Sequence, residues 1–149
     1  MRATSAAIGA ERVGIRLSPH GVFNSTGHYA EQEPQYLALA AELSSLGLLY
    51  VHVLDHSAMG APPVPLELKL QLRETFKGLF ILAGGFDRER AETALREGRA
   101  DLIAMGRPFL ANPDLVARLQ ANAPLNTPDM STFYLPGPKG YTDYPTLAA

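Results

Sequence analysis

The chain has 149 residues, 46% of them hydrophobic and 19% charged, the profile of a soluble α/β domain large enough for one core. A net charge of −2, with the 13 Lys and Arg scattered along the chain, gives no electrostatic basis for binding nucleic acid. Without cysteine, disulfides, thiolate metal sites and a cysteine nucleophile are excluded. No apolar run approaches the roughly 20 residues needed to span a bilayer, and the start, MRATSAAIGAER, lacks the apolar stretch of a secretory signal, so the cytoplasm is the expected compartment.

In chain order, the first ten residues read as the end of a helix (ATSAAIGA) that begins abruptly, as though the chain started in mid-architecture. Val13 to Leu17 is a short β-rich run, and Pro34 to Leu46 an apolar-periodic helix with a first-turn proline and Gly47 as its stop. Leu48 to Leu54 is a second strand, followed by a Gly-Pro-rich loop and a helix from about Leu66 to Lys77, stopped by Gly78. Leu79 to Ala83 is a third strand; Asp87 is placed to cap a helix that runs to about Glu97. Asp101 to Met105 is a fourth strand, and Asn112-Pro113 supplies a cap and first-turn proline for a last helix. From Ala123 the pattern breaks: five prolines punctuate a tail whose aromatics, Phe133, Tyr134, Tyr141 and Tyr144, argue against simple disorder. The division predicted is residues 1–122 as the βα region and 123–149 as an irregular tail.

The third and fourth strands share a feature. LFILAGGF and DLIAMGRPF each end in a glycine turn and run into a helix, and the second places Arg107 beside Gly106. Parallel strands opening side by side onto bare backbone amides make a cradle for a phosphate, and a guanidinium can grip that group bidentately. Right-handed βαβ crossovers put the four strands in one parallel sheet. This is either an open doubly wound sheet or an arc of a (β/α)8 barrel, whose full version needs roughly 250 residues. The barrel is favoured because phosphate sites in such barrels lie after strands seven and eight, and the glycine turns here follow the last two strands.

Four stretches, ERVGIRLSPHGVFN, ILAGGFD, ADLIAMGRPFLANPDLVARL and STFYLPGPKGYTDYPTL, together resemble the C-terminal half of the old yellow enzyme family of FMN-dependent ene-reductases. The match runs in order over nearly the whole chain. The resemblance implies that the strands are the fifth to eighth of a (β/α)8 TIM barrel and that residues 1–122 are its FMN-binding half. It places Arg16 at the pyrimidine edge of the flavin, and the amides of Gly84, Gly85 and Gly106 with the Arg107 side chain on the FMN phosphate. Phe133 and Tyr134 match an aromatic pair near flavin and substrate, with Tyr134 facing the pocket. The activity implied is hydride transfer from NAD(P)H through FMN to an activated alkene.

Each assignment has a plainer rival. Arg16 also fits a strand residue turned to solvent or paired with a helix carboxylate. Gly84-Gly85 also fits a tight turn, Arg107 a surface ion pair with Asp87 or Asp114, and Tyr134 simple tail packing. His52 and His56, four residues apart on an extended strand, stand roughly 13 Å from one another and are poorly placed to share a metal; no metal site is expected. His56, with Met59, would border a substrate channel. The family's substrate-binding pair and its tyrosine proton donor belong to its N-terminal half, so no catalytic residue is assigned here. A half-barrel leaves open edges and an apolar face, which implies a separate N-terminal half as partner, self-association, or an inactive fragment. Two alternatives stay open: a phosphate-binding fragment without turnover, and a (β/α) isomerase or aldolase acting on a sugar phosphate.

Overall fold

The computed structural model describes residues 1–147; the last two residues of the tail lie outside the described residues. The chain forms two compact units, Met1–Ala104 and Met105–Ala149. That division falls at the end of the last strand, earlier in the chain than the change of pattern at residue 123.

The first unit holds helix α1 (Arg2–Ile8), strand β1 (Gly14–Leu17), α2 (Gln32–Ser45), β2 (Tyr50–Leu54), α3 (Leu66–Thr75), β3 (Leu79–Ala83), α4 (Arg88–Arg96) and β4 (Leu102–Ala104). The strands form one parallel sheet in the order β1-β2-β3-β4, the consecutive arrangement that short right-handed crossovers produce. Alternation along the strands decides which face is covered. Leu17, Val51, Val53, Phe80 and Leu82 join Ala40 and Leu43 of α2 and Leu68 and Leu72 of α3 in one buried cluster. The alternate residues point the other way. Arg16, His52, Ile81 and Leu102 share one register row, and none of them is fully buried.

The elements start and stop for local reasons. Asp87 caps α4 as expected, its carboxylate accepting from the Arg90 amide at 2.8 Å. Helix α3 ends at Thr75, short of the predicted Lys77, because Phe76 turns to extended backbone and buries its ring in the core at 1% exposure. That gain outweighs one more helical turn.

Among the described residues, the second unit holds α5 (Arg107–Ala111), α6 (Leu115–Ala121) and a 3-10 turn at Met130–Thr132. Asn112 does not cap the last helix, which begins at Leu115 after Asp114. Asn112 is fully buried instead; its side chain donates to Pro108 O at 2.8 Å and accepts from the Asn126 amide at 2.7 Å. An amide that can donate and accept at once is better used to tie the tail than to cap. The tail is irregular, as predicted, and it is held by side chains bonded to backbone. Arg118, 4% exposed, donates to the carbonyls of Pro124 at 2.6 Å and Pro145 at 2.9 Å as well as to Asp114. Among the described residues, no helix is long and apolar enough to cross a membrane.

Candidate functional site

In the first unit, candidate residues gather at the C-terminal ends of the strands and on the sheet face without helices. At the end of β3 the chain turns through Gly84 and Gly85, at φ +124° and +62°. A Cβ on Gly84 would stand 2.2 Å from the Asp55 carbonyl oxygen, so the residue must be glycine for the fold's own sake. The tight-turn reading of Gly84 is therefore correct as far as it goes, and it leaves a phosphate role untouched.

Asp55 follows β2 and is itself a junction. Its carboxylate accepts from the amides of Ser57 at 2.9 Å and Val64 at 3.3 Å and from Lys69 Nζ at 2.6 Å. Burial pushes the Asp55 carboxyl upward, but the hydrogen bonds from Lys69 and Ser57 outweigh it and hold the group below its ordinary value. The loop after β2 is thereby pinned to α3 beside the glycine turn. A cleft of about 250 Å³ opens there, lined in part by Asp55, Lys69, Gly84, Phe86 and Arg90. A larger hollow of about 480 Å³ involves Arg73 and Asp101 near the other ends of the strands, away from this turn.

Arg16 is an exposed member of that register row. Among the described residues no carboxylate stands within ion-pair distance of it, which removes the reading that pairs it with a helix acid. Its neighbour on β2 is His52, whose pKa is pushed down by burial and then by the Arg16 charge, both of which favour the neutral imidazole. The buried Nε2 of His52 and Nδ1 of His56 meet no hydrogen-bond partner among the described residues. His56 lies off the strand after β2, its ring edge-on to Phe23 at 5.0 Å. No group of three His, Cys, Asp or Glu converges among the described residues.

In the second unit, Gly106 precedes α5 with φ −82° and ψ −76°, and Arg107 is the first helical residue. Nothing lies within 4 Å of the Cβ position of Gly106. Neither backbone nor packing demands glycine there. Asp114, in the same unit, binds Arg118 at 2.8 Å. Tyr134 is 92% exposed and sits at φ +64°, a left-handed conformation rare for a bulky residue. Its amide donates to the Tyr141 hydroxyl at 2.9 Å, and its ring lies edge-on to Phe133 at 6.4 Å.

Comparison with known proteins bears directly on this arrangement. The profile described as the NADH:flavin oxidoreductase / NADH oxidase family matches residues 1–126. The chain belongs to that family, the old yellow enzymes. It is 46% identical over 145 residues to 12-oxophytodienoate reductase 2 of Arabidopsis thaliana, across 94% of this chain and 38% of that protein. A putative 12-oxophytodienoate reductase 10 of Oryza sativa subsp. japonica is 40% identical, across 97% of this chain and 48% of the relative. Among solved structures, morphinone reductase matches with a TM-score of 0.89 at 44% identity, over 97% of this chain and 39% of its own. A morphinone reductase complex with tetrahydroNAD matches at a TM-score of 0.86 and 43% identity, over 98% of this chain and 39% of its own. The chain thus spans less than half the length of these relatives, and its four βα units are part of a TIM barrel.

Sequence reasoning did not single out Asp55, Lys69 or Arg90. The first two are 14 residues apart on a loop and a helix, with no periodicity to link them. Arg90 did carry a signal: an Asp87 cap puts residue 90 in the first helical turn, one reach back from the glycine carbonyls.

Proposed function

We propose that this chain is the FMN-binding C-terminal half of the barrel of an NAD(P)H-dependent ene-reductase. When bound, FMN takes hydride from NAD(P)H and passes it to an activated alkene. The observation that carries the reading is Arg16, a cation without a carboxylate partner among the described residues, on the sheet face that the helices leave uncovered. A flavin requires positive charge at its pyrimidine edge when the ring is reduced and anionic; a small sugar phosphate would not extend to that residue. Two further features support the fit: a turn of left-handed glycines at the end of β3, and an open Cβ position at Gly106.

The roles assigned follow from that. Arg16 fixes the electrostatics of the ring. The backbone of Gly84 and Gly85 donates to the phosphate, and Gly106 and Arg107 are proposed as phosphate ligands from the second unit. Tyr134, with Phe133 behind it, lines the substrate side; its strained, outward ring is ready to stack against a planar ligand. Turnover requires the remaining βα units of the barrel, supplied on one polypeptide, by a separate chain or by self-association. FMN titration followed by flavin fluorescence quenching, with and without those units, tests the reading. Binding of sugar phosphates with no binding of FMN in either form would sink it.

A further inference from the structure

Two consecutive glycines give a turn that the backbone alone leaves soft, and a phosphate cradle works only when its amides are already aimed. One side chain of α4 reaches back to that turn. Arg90, in the first turn of α4, points back along the helix, and its Nη1 donates to the Gly85 carbonyl at 2.7 Å. The guanidinium is held from a second side by the Phe86 ring, whose centroid is 5.9 Å from Cζ. Residue 90 is placed for this by the Asp87 cap, which accepts from its amide at 2.8 Å.

The peptide geometry gives that contact its consequence. No cis bond occurs among the described residues, so the Gly85 carbonyl and the Phe86 N–H of the same planar unit point in opposite directions. With the carbonyl fixed on Arg90, the Phe86 amide is fixed on the other side of the chain. We propose that Arg90 is a positioning residue that locks the Gly85-Phe86 peptide and so presets the Gly84–Phe86 turn for the phosphate of the ligand. The inference rests on the FMN reading above and adds a residue outside the phosphate contacts proposed there.

Riboflavin, which is FMN without its phosphate, separates aiming from folding. FMN and riboflavin are titrated into the complete protein as wild type, Arg90→Met and Arg90→Lys. Arg90→Met should weaken FMN about tenfold and leave riboflavin within about twofold, because one charge-assisted bond to the turn is lost while the ring site is intact. Arg90→Lys keeps a cationic donor and should recover most of the preference for FMN. An unchanged FMN affinity in Arg90→Met, or an equal loss for both ligands, overturns the inference. A wild-type protein that binds both flavins equally would instead remove the phosphate site itself, a failure of the underlying reading and distinguishable from the first.

Discussion

The two glycine turns look alike in sequence and differ in what obliges them. At Gly84 the fold itself forbids a side chain: φ is +124° and a Cβ would stand 2.2 Å from a carbonyl oxygen. At Gly106 φ is −82° and the Cβ position is open for 4 Å. A glycine that the protein's own packing does not require is the more informative of the two. The same motif therefore carries a structural cause in one unit and, on the proposed reading, a ligand's in the other.

The largest effect expected is from Gly84→Ala, which forces an alanine into a left-handed conformation and into the Asp55 carbonyl. It should cost on the order of 3 kcal/mol or more of stability. Urea unfolding of the variant measures this directly; a loss below about 1 kcal/mol would erase the contrast between the turns. Arg107→Ala should instead weaken FMN binding by about 2 to 3 kcal/mol, the value of a charge-assisted phosphate contact. Titration of the assembled protein measures it, and unchanged affinity would remove Arg107 from the phosphate site.

A smaller effect tests the junction behind the first turn. Lys69→Met removes the 2.6 Å donor to the Asp55 carboxylate and should cost about 1 to 2 kcal/mol at pH 7, since the pair is only partly shielded from water. The pH dependence has a definite sign. The Asp55 pKa is held below its unfolded value, so its contribution is fully present above about pH 4 and is lost as pH falls through the folded value. Lys69→Met should flatten that acid limb. Unfolding curves at pH 7 and through the acid range compare the two proteins, and an unaltered limb would show that Lys69 does not set the Asp55 titration.

The sheet and its order were legible because strand and helix periods alternate cleanly from Val13 to Ala111, and because crossovers allow so few arrangements. The second unit was less so. Asn112 before a proline has the local signature of a cap, yet it is spent on Asn126, 14 residues later, and no local rule anticipates that partner. The same holds for Arg118 on the Pro124 and Pro145 carbonyls. At the candidate site, the glycines and Arg16 stood out as residue types, whereas Asp55 and Lys69 emerge only from distances and Arg90 only through the helix cap that precedes it.

The smallest stability change expected sharpens the comparison most. In Gly106→Ala the new methyl enters open space, on backbone in the right-handed region that any L residue adopts. Alanine is a slightly poorer helix start than glycine but restricts the unfolded chain more, and these opposing terms leave a net change below about 1 kcal/mol. FMN affinity has no such compensation: if the phosphate approaches the Gly106 backbone closely, the methyl stands in its path and affinity should fall at least about tenfold. Calorimetric melting and FMN titration of one variant read the two quantities separately. A stable Gly106→Ala protein that binds FMN as well as the wild type would leave this glycine without the ligand role proposed for it. A stable protein that has lost FMN would show that the second glycine exists for the ligand, as the first exists for the fold.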